Sequence, residues 1–187
     1  MLLNVPNLVT LSRIVLIPLI VGVFYLPDAW MSFSAKNLAA ASIFIVAAIT
    51  DWLDGYLARR LNQMSAFGAF LDPVADKLIV VGALVVLLYL GRVDPLVALI
   101  IVGREIAISA LREWMAVLGR GKSVAVAFIG KLKTVSQMVA IPLLLFHDRL
   151  FGLVDSQWLG TLLISAAAVL TVVSMLYYIR RAVPHAL

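Results

Sequence analysis

Four aspartates fall as two pairs within apolar sequence: Asp51-Trp52-Leu53-Asp54-Gly55, then Gly68-Ala69-Phe70-Leu71-Asp72-Pro73-Val74-Ala75-Asp76. Asp51 and Asp54 are three residues apart and Asp72 and Asp76 four apart, so each pair shares one face of a helix. Ionisable groups inside a membrane span are costly and mark function. Four carboxylates brought together also need counter-charge. Arg59 and Lys77 offset part of it, but hard divalent cations do so better, and Mg²⁺ or Mn²⁺ prefers oxygen ligands. The chain has no Cys, and no His lies near these acids, which argues against zinc. Two ions on four carboxylates make a clamp for phosphoryl transfer. Gly55 and Gly68 remove side chains beside the acids and Ala58 keeps the next turn small, so a ligand or a second helix can approach closely. Pro73 either starts its helix or bends it.

A second, basic set lies downstream: Gly103-Arg104-Glu105, then Ser109, Arg112-Glu113-Trp114, and Gly130-Lys131-Leu132-Lys133-Thr134. Arg104 and Arg112 are eight residues apart, about two turns along one helix face. Guanidinium forks and ammonium groups inside a membrane suit a phosphate ligand. The alternative is neutralisation by Glu105 and Glu113, or snorkelling to headgroups. No nucleophile–base–acid triad is visible, and His147 and His185 are expected in solvent.

The elements that must position these residues follow from composition. Of 187 residues 64% are hydrophobic and only 13% charged, with a mean hydropathy of +1.08. A soluble domain is about 45–50% apolar and about 25% charged. The fold class is therefore an all-α integral membrane protein. Apolar stretches near Leu8–Leu26, Asn37–Ala58, Phe67–Leu90, Pro95–Leu118, Val124–Phe146 and Trp158–Ile179 predict a bundle of six transmembrane helices in one domain, residues 1–187. Short loops make neighbouring helices antiparallel. The C-terminal end of the second span and the start of the third then lie side by side, which brings the four acids together at one membrane surface.

Topology follows from the basic residues. With both termini cytoplasmic, Arg59, Arg60, Arg120, Lys122, Arg180 and Arg181 lie in cytoplasmic segments. Arg13, Lys77, Arg104, Arg112, Lys131 and Lys133 lie in helices toward that side. Only Lys36, Arg92 and Arg149 fall outside. Trp30, Trp158, Tyr177 and Tyr178 sit at span ends as interfacial anchors. Residues 1–7 form a short interfacial segment before a first helix bent at Pro18. No cleavable signal pattern is present, so the N-terminus is retained. The net charge of +5 and a pI near 9.8 suit anionic lipid, whereas basic residues scattered over helix ends do not make a nucleic-acid face.

Buried acids also occur on proton or cation paths and in structural ion pairs with Arg59 and Lys77. Clustering at one membrane face disfavours a path spread through depth, and two pairs with two glycines at fixed spacing disfavour simple ion pairing.

The acidic segment resembles the signature of the CDP-alcohol phosphatidyltransferase family, Asp-x2-Asp-Gly-x2-Ala-Arg-x8-Gly-x3-Asp-x3-Asp. Every position matches: Asp51, Asp54, Gly55, Ala58, Arg59, Gly68, Asp72 and Asp76. The likeness extends to Asn4-Val5-Pro6-Asn7-Leu8-Val9-Thr10-Leu11-Ser12-Arg13. The Arg104–Trp114 and Gly130–Thr134 stretches resemble members of the family that use glycerol 3-phosphate.

The resemblance implies a six-helix homodimer in the bacterial inner membrane with its active site facing the cytoplasm. It implies metal-dependent transfer of a phosphatidyl group from CDP-diacylglycerol to glycerol 3-phosphate, releasing CMP, in phospholipid biosynthesis. Serine, inositol phosphate or phosphatidylglycerol are the alternative acceptors, and the basic set favours a phosphorylated one. Carried over by position, Asp51, Asp54 and Asp72 are metal ligands, and Asp76 is both ligand and catalytic base. Gly55, Ala58, Arg59 and Ser65 touch the CDP part, Gly68 gives it room, and Asn7 and Thr10 line the same pocket. Arg104, Arg112, Lys131 and Lys133 hold the acceptor's phosphate. A cation or proton transporter is the reading from a different class.

Overall fold

The computed structural model describes residues 5–60, 66–117, 128–150 and 152–182. Its side-chain description leaves out, within these, residues 5–6, 52–60, 66, 69, 112, 116, 128–131 and 177–182. Six long helices account for nearly all of it: α1 (Val5–Gly22), α2 (Phe33–Arg60), α3 (Ala66–Tyr89), α4 (Pro95–Val117), α5 (Phe128–Phe146) and α6 (Ser156–Ala182). Pro18, Pro73 and Pro142 are inside α1, α3 and α5. Pro73 therefore does not start its helix, which already runs from Ala66. Val5 to Asn7 belong to α1, so the end of the expected interfacial segment is helical; residues 1–4 lie outside the described residues.

The breaks obey local chemistry. Asp94 caps α4, its Oδ1 accepting from the Leu96 amide at 2.8 Å, with Pro95 in the first helical position, where no N–H is needed. Asp155 caps α6 in the same way, accepting from the Gln157 amide at 2.8 Å. The end of α3 is a Schellman motif: the Arg92 amide donates to Leu87 O at 2.9 Å and the Gly91 amide to Leu88 O at 3.0 Å. Gly91 adopts φ +66 there, a conformation that glycine takes without strain.

The loop after α5 holds a feature that the apolar pattern does not foreshadow. Two-residue strands, β1 (Arg149–Leu150) and β2 (Val154–Asp155), pair antiparallel. Strands this short leave no periodicity to detect.

The core lies between α1, α2, α3 and α5, with Ile20, Phe44, Leu84, Leu87, Ile141 and Leu144 almost fully enclosed. α1 packs on α2 and α3, α5 on α6 and α2, and α4 on α6. Two glycines allow close approaches: a Cβ on Gly82 would meet Ile17 Cγ2 at 2.9 Å, and one on Gly160 would meet Leu144 Cγ at 2.7 Å. Every helix also turns large apolar side chains outward, among them Val15, Ile49, Val85, Leu99, Val135 and Val169. An outer surface of that kind is matched to lipid.

Among the described residues three helical stretches are, by length and composition, long and apolar enough to cross a membrane: Asn7–Tyr25, Phe33–Asp51 and Ser156–Leu176. In the other three helices charge or length leaves a shorter apolar stretch. α3 carries Asp72, Asp76 and Lys77, α4 carries Arg104, Glu105 and Arg112, and the apolar part of α5 is the shorter Leu132–Phe146.

Candidate active site

α1 and α3 run parallel, and polar contacts climb their interface in register. Thr10 Oγ1 donates to Asp72 Oδ1 at 2.7 Å. One turn on, Arg13 Nη1 donates to Asp76 Oδ1. Further up, Ile17 packs on Gly82. Thr10 and Arg13 are three residues apart on α1 and Asp72 and Asp76 four apart on α3, so one face of each helix supplies both partners. The same Arg13 Nη1 is 2.8 Å from Asp51 Oδ1 on α2. Three helices are thus joined at one guanidinium.

Arg13 is enclosed, with its side chain 1% exposed, whereas Asp51 and Asp76 are 40% and 41% exposed. The cation is sunk in the packing and the carboxylates open outward. Asn7, one turn before Thr10, is also buried.

The opening is a cavity of about 280 Å³. Asp51, Asp76 and Lys77 line one part of it, and Arg104 and Glu105 from α4 line another, with Ser109, Thr134 and Gln137 between helices α4 and α5. That volume is at the lower end for ligand pockets and suits a small polar molecule. On the basic side, Glu105 Oε1 accepts from Arg104 Nη1 at 3.1 Å and also from Lys133 Nζ. Arg104 Nη2 reaches Ser174 Oγ on α6 at 3.4 Å. Arg104 and Lys133 are both buried, so two desolvated cations share one carboxylate and the cluster keeps a net positive charge.

The donor set fits a hard divalent cation. Asp51 Oδ1 and Asp76 Oδ1 already converge on one positive centre, and the neighbouring polar groups of Asp72 and Thr10 are oxygens too. Among the described residues, no three acids stand close enough to hold a metal by themselves.

The residues expected from sequence are distributed as follows. Asp51, Asp72, Asp76, Asn7 and Thr10 meet around the α1–α2–α3 contact, and Gly68 is buried at the start of α3. Arg104 and Lys133 meet at Glu105. Asp54, Gly55, Ala58 and Arg59 lie on the last turns of α2, Arg112 on α4 and Lys131 on α5, but their side chains are outside the described residues, as is Ser65 altogether.

Two residues have a larger part than their sequence context suggests. By sequence Arg13 is a topological charge that closes the Asn4–Arg13 stretch, and Arg59 and Lys77 are the expected counter-charges. In the fold Arg13 contacts two of the acids directly. Its spacing of three from Thr10 was the available signal. By sequence Glu105 is one of two acids able to offset the basic set, and in the fold it is the common partner of Arg104 and Lys133.

The model of the family described as CDP-alcohol phosphatidyltransferase matches residues 3–175. The chain is 52% identical over 181 residues to the CDP-diacylglycerol–glycerol-3-phosphate 3-phosphatidyltransferase of Shigella flexneri serotype 5b (strain 8401), covering 96% of this chain and 94% of the relative. Its identity to the protein of the same name from Escherichia coli (strain K12) is likewise 52% with the same coverage. A match spanning the acidic cluster, the basic cluster and all six helices leaves the transporter reading without support: this chain belongs to the CDP-alcohol phosphatidyltransferase family.

Proposed function

We propose that the chain transfers the phosphatidyl group of CDP-diacylglycerol to glycerol 3-phosphate, giving phosphatidylglycerophosphate and CMP. Relatives that carry this activity in their names align over nearly the whole length. The observation that carries the reading at the level of residues is the shared cavity, with Asp76 on one side and Arg104 on the other. An acceptor that bears a phosphate and a hydroxyl needs both.

In this reading the acceptor's phosphate binds Arg104 and Lys133, with Arg112 and Lys131 completing the basic set. Binding exchanges the Glu105 carboxylate for a phosphate as partner of the two cations. The acceptor hydroxyl is thereby held toward Asp76, and such positioning removes much of the entropic barrier. Asp76 takes the hydroxyl proton as the oxygen attacks the phosphatidyl phosphorus. The bond from that phosphorus to the CMP oxygen breaks, and CMP departs with the electron pair. Asn7, Thr10, Gly55, Ala58, Arg59, Ser65 and Gly68 receive the CDP part. Thr10 orients Asp72 by its hydrogen bond.

Family members generally depend on divalent metal. Asp51, Asp54, Asp72 and Asp76 are the ligands in this reading, for two Mg²⁺ or Mn²⁺ ions. Ions held there would supply charge neutralisation for the diphosphate and for the leaving group.

The remaining parts of the reading are a single domain of residues 1–187, six spans, both termini cytoplasmic, and a homodimer in the bacterial inner membrane. The apolar outward side chains on all six helices support six spans. The Thr10–Asp72, Arg13–Asp76 and Arg104–Glu105–Lys133 contacts around one cavity support a site at one membrane face. The homodimer rests on the family resemblance.

The test is CMP release by the purified full chain in lipid nanodiscs. Release is expected only with CDP-diacylglycerol, glycerol 3-phosphate and Mg²⁺ or Mn²⁺ all present. Serine, inositol phosphate and phosphatidylglycerol complete the acceptor panel, and a preference for an unphosphorylated alcohol refutes the choice of acceptor.

A further inference from the structure

Gln137 is 4% exposed and lines the cavity that also contains Asp76 and Arg104. A primary amide has two donors and an acceptor oxygen to satisfy. Among the described residues the Gln137 side chain takes part in no hydrogen bond. Its polar atoms are also not sealed into the packing as partnerless atoms, so they open into the cavity. Burying an amide without partners costs stability. A residue of this kind beside a substrate cavity has a use if the ligand supplies the missing partner.

The position of Gln137 narrows what that partner is. Gln137 lies on α5 one turn beyond Lys133, on the same face of the helix. Lys133 is tied to Glu105 on the basic side, and Asp76 faces the cavity from α3. A short acceptor held by its phosphate on the basic side, with its reacting hydroxyl at Asp76, spans the region between. In glycerol 3-phosphate the carbon between these two ends carries a second hydroxyl.

We propose that Gln137 is a specificity-determining residue that hydrogen-bonds this middle hydroxyl. The proposal rests on the acceptor reading given above. A site built to hydrogen-bond a substrate hydroxyl discriminates strongly against the analogue that lacks it, because the protein group is then left unpaired.

The experiment compares glycerol 3-phosphate with 3-hydroxypropyl phosphate, which keeps the phosphate and the reacting hydroxyl and lacks the middle one. kcat/KM is measured for both, on the full chain in nanodiscs, for wild type, Gln137→Met and Gln137→Asn. Wild type is expected to prefer glycerol 3-phosphate by roughly ten- to a hundredfold. Gln137→Met should lose most of that preference by a fall on glycerol 3-phosphate alone, with the deoxy acceptor within about twofold of wild type. If Gln137→Met does not fold, Gln137→Asn, which keeps an amide on a shorter stem, carries the test with a partial loss of preference. Equal losses on both acceptors, an unchanged preference, or no preference in wild type overturns the role of Gln137. If wild type releases no CMP with glycerol 3-phosphate, the acceptor reading itself falls, and the role of Gln137 with it.

Discussion

Arg13 Nη1 lies 2.8 Å from Asp51 Oδ1, across the contact between α1 and α2. The same nitrogen donates to Asp76 on α3. A protein cation thus stands between two carboxylates of a proposed metal-binding set.

Arg13→Gln should therefore weaken the metal-free protein more than the metal-loaded one. Breaking a buried ion pair costs about 3–5 kcal/mol. The two carboxylates here are partly exposed, which brings the expectation to roughly 1–3 kcal/mol. For a chain of this size that is about 2–4 °C per kcal/mol. Thermal unfolding in detergent, with and without saturating Mn²⁺, checks this. The Mn²⁺-induced upshift should be larger in Arg13→Gln than in wild type, and equal upshifts would show that Arg13 and the ion do not share the same acids.

Asp76→Asn should reduce CMP release by at least about a hundredfold, the usual worth of a positioned general base. Thr10→Val should act more gently, through the orientation of Asp72. The loss of one hydrogen bond, about 0.5–1.5 kcal/mol, corresponds to a few-fold rise in the Mn²⁺ concentration needed for half-maximal rate. Full CMP release by Asp76→Asn would remove the base role.

Lys133→Met and Arg104→Gln should raise KM for glycerol 3-phosphate by roughly ten- to a hundredfold, since hydrogen bonds between charged groups are worth about 1.5–3 kcal/mol. KM for CDP-diacylglycerol should stay within about twofold. Steady-state kinetics with each substrate varied in turn separates the two. A parallel rise in both constants would instead mean that the α4–α5 contact at Glu105 has a structural role alone.

At the opposite end of the bundle Arg92 is buried and donates to Leu144 O at 3.1 Å and Leu145 O at 2.8 Å, the final carbonyls of α5, and to Asn37 Oδ1 at 2.9 Å on α2. Arg92→Met leaves those acceptors unpaired and should cost about 2–4 kcal/mol of stability. Its kcat at a permissive temperature should remain near wild type, because the cavity is at the other end.

His147 follows α5 on the same side, and burial first, then the Arg92 charge, hold its imidazole below the ordinary value near 6.5. A base with a depressed folded pKa is stabilised in its neutral form. Its contribution is thus complete above pH about 6.5 and is lost as the pH falls through the folded value. His147→Gln should flatten the slope of melting temperature against pH between about 7 and 5. An unchanged slope would assign that pH dependence to other groups.

What the sequence by itself determined was local. The pairs Asp51/Asp54 and Asp72/Asp76 share helix faces because side-chain direction along a helix is set by its period. The stop after α3 was readable from Leu90-Gly91-Arg92, and the start of α4 from Asp94-Pro95, because caps depend on a few adjacent residues. The asymmetry of Lys and Arg was likewise a property of the string.

Which helix faces which was decided only by the tertiary structure. Arg13 meets Asp51 and Asp76 across separations of 38 and 63 residues, and Thr10 meets Asp72 across 62. The contacts with Asp72 and Asp76 exist because α1 and α3 run parallel and close in at Gly82, where a side chain would strike Ile17, and the one with Asp51 because α2 packs on α1. A helical period states which face a residue occupies and is silent on the neighbour that face will find. For the same reason Glu105 became the common partner of Arg104 and Lys133, and Gln137 a cavity residue, only once the fold set α4 and α5 across one cavity.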